Sequence, residues 1–455
     1  MLQWALDQDK TFPMKKKLEP EHRSASFVSL GCFKNTVDSE VLAGMLQERG
    51  MTIVSEYEDP DWLVINTCGF IRDAKEESIE EILTALEKKE KGEIKKLVVF
   101  GCLIQRYYME LQTTFDKVDI LWGVNDIEEL ADAIAGAGPG GYPDQKLFLY
   151  SDRHQRPLFT TANSSFIKIS EGCNMTCSFC SIPQIRGPFR SRTIPSILHE
   201  AEILKKRGLE ELNLISQNST YFGKDRGQLS QLPALLKEIS GLGFRWLRVL
   251  YLMPEEVTEA ILDGFARPSL LPYFDLPFQH VSARVLKKMN RGGSYKKNLR
   301  LVREIRKRFP DAVLRSTFIV GFPGESEDDF RQLLDFAGEA ELERIGAFAF
   351  SPEENTAAFK LPNRKNPQSL EDRKNILLDV SDRNMQKFNQ GLVGQTLEFL
   401  PLAPWTHNST IGRIWAQAPE VDGHCEVKGK FIEGSSMFSV KISGFQNEML
   451  QGEKS

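Results

Sequence analysis

The stretch Cys173-Asn-Met-Thr-Cys177-Ser-Phe-Cys180 places three thiols within eight residues, at a C-x3-C-x2-C spacing. Thiolate is the soft ligand of iron–sulfur clusters and of zinc. A closed structural zinc site needs four protein ligands, usually in C-x2-4-C pairs, and no fourth ligand follows this stretch locally. The spacing therefore favours an iron–sulfur cluster with one iron left open, and a zinc loop or a chance spacing is the alternative.

The residues around the motif support a cofactor loop. A β-like run, Phe166-Ile-Lys-Ile-Ser170, leads directly into it. With this motif the chain resembles the radical S-adenosylmethionine (SAM) superfamily. The resemblance implies that Cys173, Cys177 and Cys180 bind a catalytic [4Fe-4S] cluster whose open iron takes the amino and carboxylate groups of SAM. It also implies that one electron from the cluster splits SAM into methionine and a 5′-deoxyadenosyl radical, with Phe179 against the adenine.

Composition narrows the class of protein. The chain has 455 residues, 41% hydrophobic and 27% charged, with a net charge of −5. These values are typical of globular proteins and argue mildly against a dedicated nucleic-acid binder. No apolar run approaches the roughly 18 residues of a membrane helix, and the start lacks a signal peptide, so we expect a cytoplasmic protein with no membrane partner. Residues 1–24 are predicted to form a disordered arm.

Strand-like and helix-like patterns alternate over residues 25–135. Four apolar runs predict strands at residues 26–30, 62–65, 97–100 and 121–122. Amphipathic patterns predict helices at residues 39–50, 74–91 and 126–134. This alternation indicates a doubly wound α/β domain around a parallel sheet.

Three cysteines follow strands of this predicted sheet. Cys32, Cys68 and Cys102 each stand one or two residues past a predicted strand end. Ligands of open parallel sheets bind at the carboxyl ends of the strands, so the three thiols are expected to converge. Gly31, Gly69 and Gly101 would let the backbone approach a bulky cofactor. The alternative is that each cysteine is an ordinary core residue.

At this point the chain resembles the methylthiotransferase family, which joins a three-cysteine N-terminal domain to a radical SAM core. The matching stretches are Leu30-Gly-Cys32-Phe-Lys-Asn35, Asn66-Thr-Cys68-Gly-Phe70 and Gly101-Cys102. The resemblance covers residues 25–455. It implies a second [4Fe-4S] cluster on Cys32, Cys68 and Cys102, whose open iron carries the sulfur that is transferred.

A linker rich in glycine and proline is predicted over residues 136–162, followed by a radical SAM core over residues 163–385. Repeated strand and helix patterns in the core predict a partial (β/α) barrel, whose active residues gather at the strand carboxyl ends. By resemblance, segments containing Gln217, Gln279, Arg315 and Gly321 line the SAM pocket. Each of these residues also has a structural alternative. Gly321 could serve a simple turn, Gln279 could make its hydrogen bonds to the backbone, and Arg315 could pair with a neighbouring acid.

Short apolar runs over residues 386–455 predict a small antiparallel β-barrel, which resembles the TRAM module. From residue 391 onward it has five basic and seven acidic residues, a net charge of −2. A phosphate-binding surface would be positive, so a basic protein partner is favoured over RNA. Cys425 is expected to be structural. Trp405, Trp415 and Phe431 could anchor a partner, although core packing is the preferred interpretation.

The methylthiotransferase family has two main branches. One acts on a modified adenosine beside the tRNA anticodon, and the other on the β-carbon of an aspartate in the twelfth protein of the small ribosomal subunit. The stretch Gly31-Cys-Phe-Lys-Asn-Thr-Val-Asp-Ser39, the Cys68-Gly-Phe loop and the acidic last domain favour the ribosomal-protein branch. Phe33 departs from that branch, which usually has proline there.

Three hypotheses follow for function. The preferred one is methylthiolation of the ribosomal protein with two [4Fe-4S] clusters, SAM, and an electron donor such as flavodoxin or ferredoxin. Methylthiolation of isopentenyladenosine in tRNA is the alternative, and it predicts salt-sensitive RNA binding. The third is a non-catalytic iron–sulfur or zinc protein, which would not cleave SAM.

Overall fold

The computed structural model describes residues 23–55, 60–136, 147–159, 163–227, 229–362, 364–430, 434, 436–446 and 449–455. Nearly all of the predicted arm, about half of the predicted linker and Phe431 lie outside these residues. Within them, no helix combines the length and apolar character needed to cross a membrane.

A five-stranded parallel sheet forms the N-terminal domain. Its strands and helices, in chain order, are β1 Ser24–Ser29, α1 Phe33–Glu48, β2 Thr52–Ile53, β3 Trp62–Thr67, α2 Arg72–Glu90, β4 Lys96–Gly101, α3 Cys102–Thr114, β5 Ile120–Trp122 and α4 Ile127–Ala135. The strand order is β2-β1-β3-β4-β5. Alternate residues point to opposite faces of a strand. Val64 and Val98 accordingly pack with α1 and α4, while Ile65 and Val99 pack with α2 and α3. The prediction of a doubly wound domain is confirmed.

Three features of this domain differ from the sequence prediction. Helix α1 begins at Phe33 rather than Ser39, because its polar first turns are buried against the next domain instead of forming a loop. Helix α3 was not predicted at all, and it begins at Cys102 with no loop after β4. Cys32 follows its strand by three residues rather than one or two.

The central domain is an open parallel barrel. Its elements in chain order are β6 Ser164–Lys168, β7 Ser170–Glu171, α5 Ile182–Arg186, β8 Arg190–Ser191, α6 Ile194–Lys206, β9 Glu211–Ile215, α7 Leu232–Ile239, β10 Trp246–Val249, α8 Glu259–Phe265, β11 Tyr273–Asp275, α9 Ala283–Lys288, α10 Tyr295–Arg308, β12 Val313–Val320, α11 Glu327–Glu339, β13 Arg344–Ala349 and α12 Pro367–Leu392. The strands run β10-β9-β6 and β11-β12-β13, and a single bridge from Leu247 to Leu270 links the two halves. The predicted partial (β/α) barrel is confirmed.

The C-terminal strands β14 Thr396–Thr406, β15 Ser409–Ile414, β16 Cys425–Lys428, β17 Phe438–Gln446 and β18 Met449–Lys454 form a closed barrel. The small barrel is as predicted, with two corrections. Strands β16 and β18 pair in parallel, so the barrel is not wholly antiparallel. Helix α12 runs through the predicted domain boundary at residue 386, because its apolar face stays packed on the central barrel to Leu392.

Aromatic residues of the small barrel divide between surface and core. Trp405 is 52% exposed, so the preference for core packing was wrong at this position. Trp415 is half-buried and packs on the apolar core that joins the small barrel to the central domain. Cys425 is fully buried in the same core, and burial raises the pKa of its thiol to about 12.

Candidate active site at the domain junction

The N-terminal thiols are brought together by the ends of three neighbouring strands. Asn35 is fully buried, and its Oδ1 lies 3.9 Å from both Cys32 Sγ and Cys102 Sγ. A Cβ added at Gly31 would stand 2.5 Å from Cys68 Cβ and 2.7 Å from Cys68 Sγ. Gly31 has φ +93°, so both its backbone angle and its contact with Cys68 require glycine. The three thiols therefore occupy one small region.

Local structure also fixes these thiols. Cys32 is the N-cap of α1 and Cys102 is the first residue of α3. Helix N-termini favour negative charge, as on a thiolate or a cluster. Cys68 follows β3 and is held by Ser78 of α2, whose hydroxyl accepts from Cys68 N and donates to Cys68 O, each at 3.0 Å.

The second thiol group lies on the loop that follows β7. Cys173 N donates to Gly187 O at 3.2 Å, and Cys180 N donates to Cys177 O at 3.1 Å. Ser178 ties the loop to the barrel rim, through its backbone N to Met289 O at 2.9 Å and through its hydroxyl to Lys288 O at 2.8 Å. These hydrogen bonds hold the loop against the barrel rim.

The donor chemistry fits an iron–sulfur cluster at each group. The pKa of the Cys68 and Cys180 thiols is raised to about 12, chiefly by burial and in part by the neighbouring thiols. Burial also raises the pKa of Cys102, Cys173 and Cys177. Thiolates so buried and so close need a cationic centre between them. Among the described residues, no group of three or more His, Cys, Asp and Glu side chains is spaced so that it could hold a metal ion.

Helix α5 joins the two thiol groups. It begins two residues after Cys180 and ends at Arg186. Arg186 donates to Asn35 Oδ1 at 2.7 Å and to Cys102 Sγ at 3.6 Å. Ile185 packs directly on Cys102. The same short helix thus follows the central motif and contacts the N-terminal thiols.

A buried charge network surrounds this junction. Arg186 lies 3.0 Å from both Asp38 and Glu171, and Lys168 pairs with the same two carboxylates. Burial opposes the charge of Arg186, but Glu171, Cys102 and Asp38 raise its pKa well above the usual value. Burial likewise opposes ionisation of Glu171, but Arg186 and Lys168 lower its pKa. Arg186 and Glu171 are therefore charged, and the contacts of Arg186 and Lys168 with Asp38 join the N-terminal domain to the barrel.

The predicted SAM-pocket residues divide into two sets. Gln217 Nε2 donates to Glu171 Oε1 at 2.8 Å, and its buried Oε1 has no hydrogen-bond partner among the described residues. Phe179, within the motif, is half-buried against apolar side chains of the barrel rim. A buried oxygen without a hydrogen-bond partner can accept a hydrogen bond from a polar ligand.

The other three predicted pocket residues have structural partners. Arg315 lies 3.0 Å from Asp275, so the acid alternative describes its contact. Gly321 has φ +70°, and a Cβ there would stand 1.9 Å from Leu370 Cδ2, so it serves a tight turn. Gln279 has φ +67°, and its backbone bridges β12 through Thr317 O and Ile319 N.

Sequence reasoning missed the polar and charged residues of the junction, namely Lys34, Asn35, Asp38, Lys168, Glu171 and Arg186. A signal was present in two of them, because Lys168 and Glu171 interrupt an otherwise apolar strand pattern and are buried there. Two cavities, of about 550 and 740 Å³, border the small barrel. The first lies between it and the N-terminal domain, with Ser29 and Thr36 in its lining, and the second lies where it meets the start of β10 and the end of α12.

Comparison with known proteins gives consistent matches. The radical SAM superfamily matches residues 167–337, and the family described as "Uncharacterized protein family UPF0004" matches residues 24–123. The chain is 42% identical over 412 residues to the ribosomal protein uS12 methylthiotransferase RimO of Thermotoga maritima, covering 88% of this chain and 93% of that protein. It is 38% identical over 433 residues to the protein of the same name from Syntrophomonas wolfei, covering 94% and 99%.

Solved structures share the fold. The radical SAM methyltransferase TsrM from Kitasatospora setae has a TM-score of 0.54 at 15% identity, over 74% of this chain and 77% of that chain. The cobalamin-dependent radical SAM enzyme OxsB has a TM-score of 0.51 at 12% identity, over 79% of this chain and 56% of that chain.

Proposed function

The chain belongs to the RimO family of radical SAM methylthiotransferases, and from this premise we propose that it adds a methylthio group to the β-carbon of an aspartate in the small-subunit ribosomal protein uS12. The observation that carries the proposal is the contact of Arg186 with Cys102, since Arg186 ends the short helix that follows the central thiols. The curated relatives named above act on uS12, which favours this substrate over tRNA.

Each thiol group is proposed to hold one [4Fe-4S] cluster. Cys173, Cys177 and Cys180 would hold the cluster that binds SAM, and the N-terminal thiols the second. When bound, these groups supply radical removal of hydrogen from an unactivated carbon and a methylated sulfur for that carbon. Such chemistry is needed because a side-chain β-carbon offers no acidic proton to a general base.

The chain's own contribution is positioning and exclusion of water. Asn35 and Arg186 hold Cys102 and orient it toward the barrel, while Ser178 anchors the central loop. We assign Gln217 and Phe179 to direct SAM contact. Arg315 is assigned a positioning role through Asp275, and Gly321 and Gln279 shape the rim of the pocket.

The protein is further proposed to work in the cytoplasm with two protein partners. The acidic small barrel would contact the basic ribosomal protein, and a flavodoxin or ferredoxin would supply electrons in the cytoplasm. The N-terminal domain would carry the sulfur cluster and the central barrel the radical chemistry.

The test is to reconstitute the protein anaerobically and incubate it with SAM, a reductant, sulfide and purified uS12. Intact-protein and peptide mass spectrometry should show uS12 heavier by one methylthio group in place of one hydrogen, on a single aspartate. The Cys177→Ala variant should leave uS12 unchanged. Unmodified uS12 together with methylthiolated tRNA adenosine in a parallel reaction would refute the proposal.

A further inference from the structure

One buried cation at the domain junction has no carboxylate partner within the described residues. Ten lysine and arginine side chains among the described residues are buried: Lys34, Arg156, Lys168, Arg186, Arg192, Arg248, Arg291, Arg344, Arg373 and Arg413. Nine of the ten lie within salt-bridge distance of a described aspartate or glutamate. Lys34 is the exception within the part of the chain that the structure describes.

Lys34 lies at the junction between the N-terminal domain and the central barrel. It is the second residue of α1, two positions after Cys32, and is only 7% exposed. Its Nζ stands 3.5 Å from the centre of the Tyr251 ring. Tyr251 follows β10 at the carboxyl end of the barrel, with a left-handed φ of +61°. The ammonium therefore reaches from the N-terminal thiols to the mouth of the barrel.

The carboxylate beside Tyr251 is paired with another cation. Asp275 accepts a hydrogen bond from Tyr251 N at 3.0 Å, and its other oxygen pairs with Arg315 at 3.0 Å. Tyr251 and the Cys32 thiol favour the charge of Lys34. They leave it without the carboxylate partner that each of the other nine buried cations has among the described residues.

Resting on the proposed function, we propose that Lys34 binds the side-chain carboxylate of the target residue and thereby selects aspartate. In aspartate the carboxylate is bonded directly to the β-carbon. An ammonium that fixes the carboxylate consequently fixes the reacting carbon between the two thiol groups. Asparagine has the same shape without the charge, and glutamate would move the carboxylate one methylene further from its β-carbon.

The experiment compares binding of uS12 to the iron-loaded enzyme with SAM and no reductant, so that no turnover occurs. The uS12 forms are the natural protein and its Asp→Asn variant at the position where the mass shift maps. The enzymes are the parent, Lys34→Met and Lys34→Arg. Lys205→Met is the matched control, since Lys205 also lies over an aromatic ring, that of Phe244, on the outer helix α6.

For the parent and the control, the Asp→Asn change should weaken binding by about tenfold or more, as for a lost charged hydrogen bond. Lys34→Met should bind both forms of uS12 alike and as weakly as the parent binds the asparagine form. Lys34→Arg should keep part of the discrimination. Iron content, measured on each preparation, should match the parent.

Two results would overturn the inference alone. One is a Lys34→Met enzyme that keeps the full preference for aspartate, and the other is loss of iron in that variant, which would assign Lys34 to the cluster. A parent enzyme that modifies no aspartate of uS12 would instead refute the proposed function, and the inference with it.

Discussion

Replacing Glu211 with glutamine should loosen the small barrel from the central domain. Glu211 is fully buried on β9, and its carboxylate pairs with Arg413 of the small barrel and Arg248 of β10. Burial opposes its ionisation, but the two guanidinium groups lower its pKa from 4.5 to about 2. The substitution removes this charge and leaves two buried cations unpaired.

The magnitude follows from the pKa. Lowering the pKa of Glu211 from 4.5 to about 2 corresponds to about 3 kcal/mol of stabilisation at neutral pH. Breaking a buried ion pair by removing one partner costs a similar amount, about 3–5 kcal/mol. Because the pKa is lowered in the folded protein, the stabilisation is present above pH 4.5 and is lost as the pH falls towards 2. The difference between parent and variant should therefore be constant from pH 7 to about 5.

Amide hydrogen exchange on the iron-loaded enzyme measures this effect. In the variant, amides of β15 should exchange roughly two orders of magnitude faster, because local opening costs about 3 kcal/mol less. The matched control is Glu398→Gln, which removes a pair with Arg245 across the same interface, where both side chains are about two-fifths exposed. An exposed pair contributes at most about 1 kcal/mol. Equal acceleration in the two variants would refute the reasoning.

Two further predictions concern the thiol groups. The Gly31→Ala variant should lose the N-terminal cluster and keep the central one, because the new Cβ would overlap Cys68 and Gly31 has a φ of +93°. An iron content that falls by about half, with SAM cleavage retained, would confirm this prediction, and full iron content would contradict it. Arg186→Met removes a cation and a hydrogen bond from Cys102, so the N-terminal cluster should become harder to reduce by an amount on the order of 50 mV. A redox titration followed by electron paramagnetic resonance measures that shift, and an unchanged potential would argue against electrostatic control by Arg186.

Much of the fold could be predicted because its determinants are local. Apolar runs of four or five residues followed by Gly-Cys locate β1 and β4, and the alternation of strands with amphipathic helices specifies parallel sheets. The local pattern was misleading at the start of α1. The first turns of α1 contain Lys34, Asn35 and Asp38, a polar composition typical of a loop. These residues are helical and buried because their partners come from the barrel.

The charge network of the site could not be predicted from spacing. Arg186 meets Asp38 across 148 positions of sequence, and Lys168 meets it across 130. Only the docking of the N-terminal domain on the barrel creates these contacts. The partner of Arg315 could not be predicted either. A buried arginine needs an anionic partner, but only the structure shows that this partner is Asp275. The convergence of Cys32, Cys68 and Cys102 was predictable, because parallel strand ends meet at one edge of a sheet.

The central claim, that the two thiol groups each hold a four-iron cluster, is tested most directly by iron and sulfide analysis of reconstituted variants. The parent and the Cys425→Ala control should bind about eight irons per chain. Alanine replacement of all three central thiols, Cys173, Cys177 and Cys180, should leave about four irons per chain and abolish SAM cleavage. Alanine replacement of Cys32, Cys68 and Cys102 should also leave about four irons, with SAM cleavage retained. A parent that binds only about four irons, or SAM cleavage that survives loss of the central three thiols, would contradict the account.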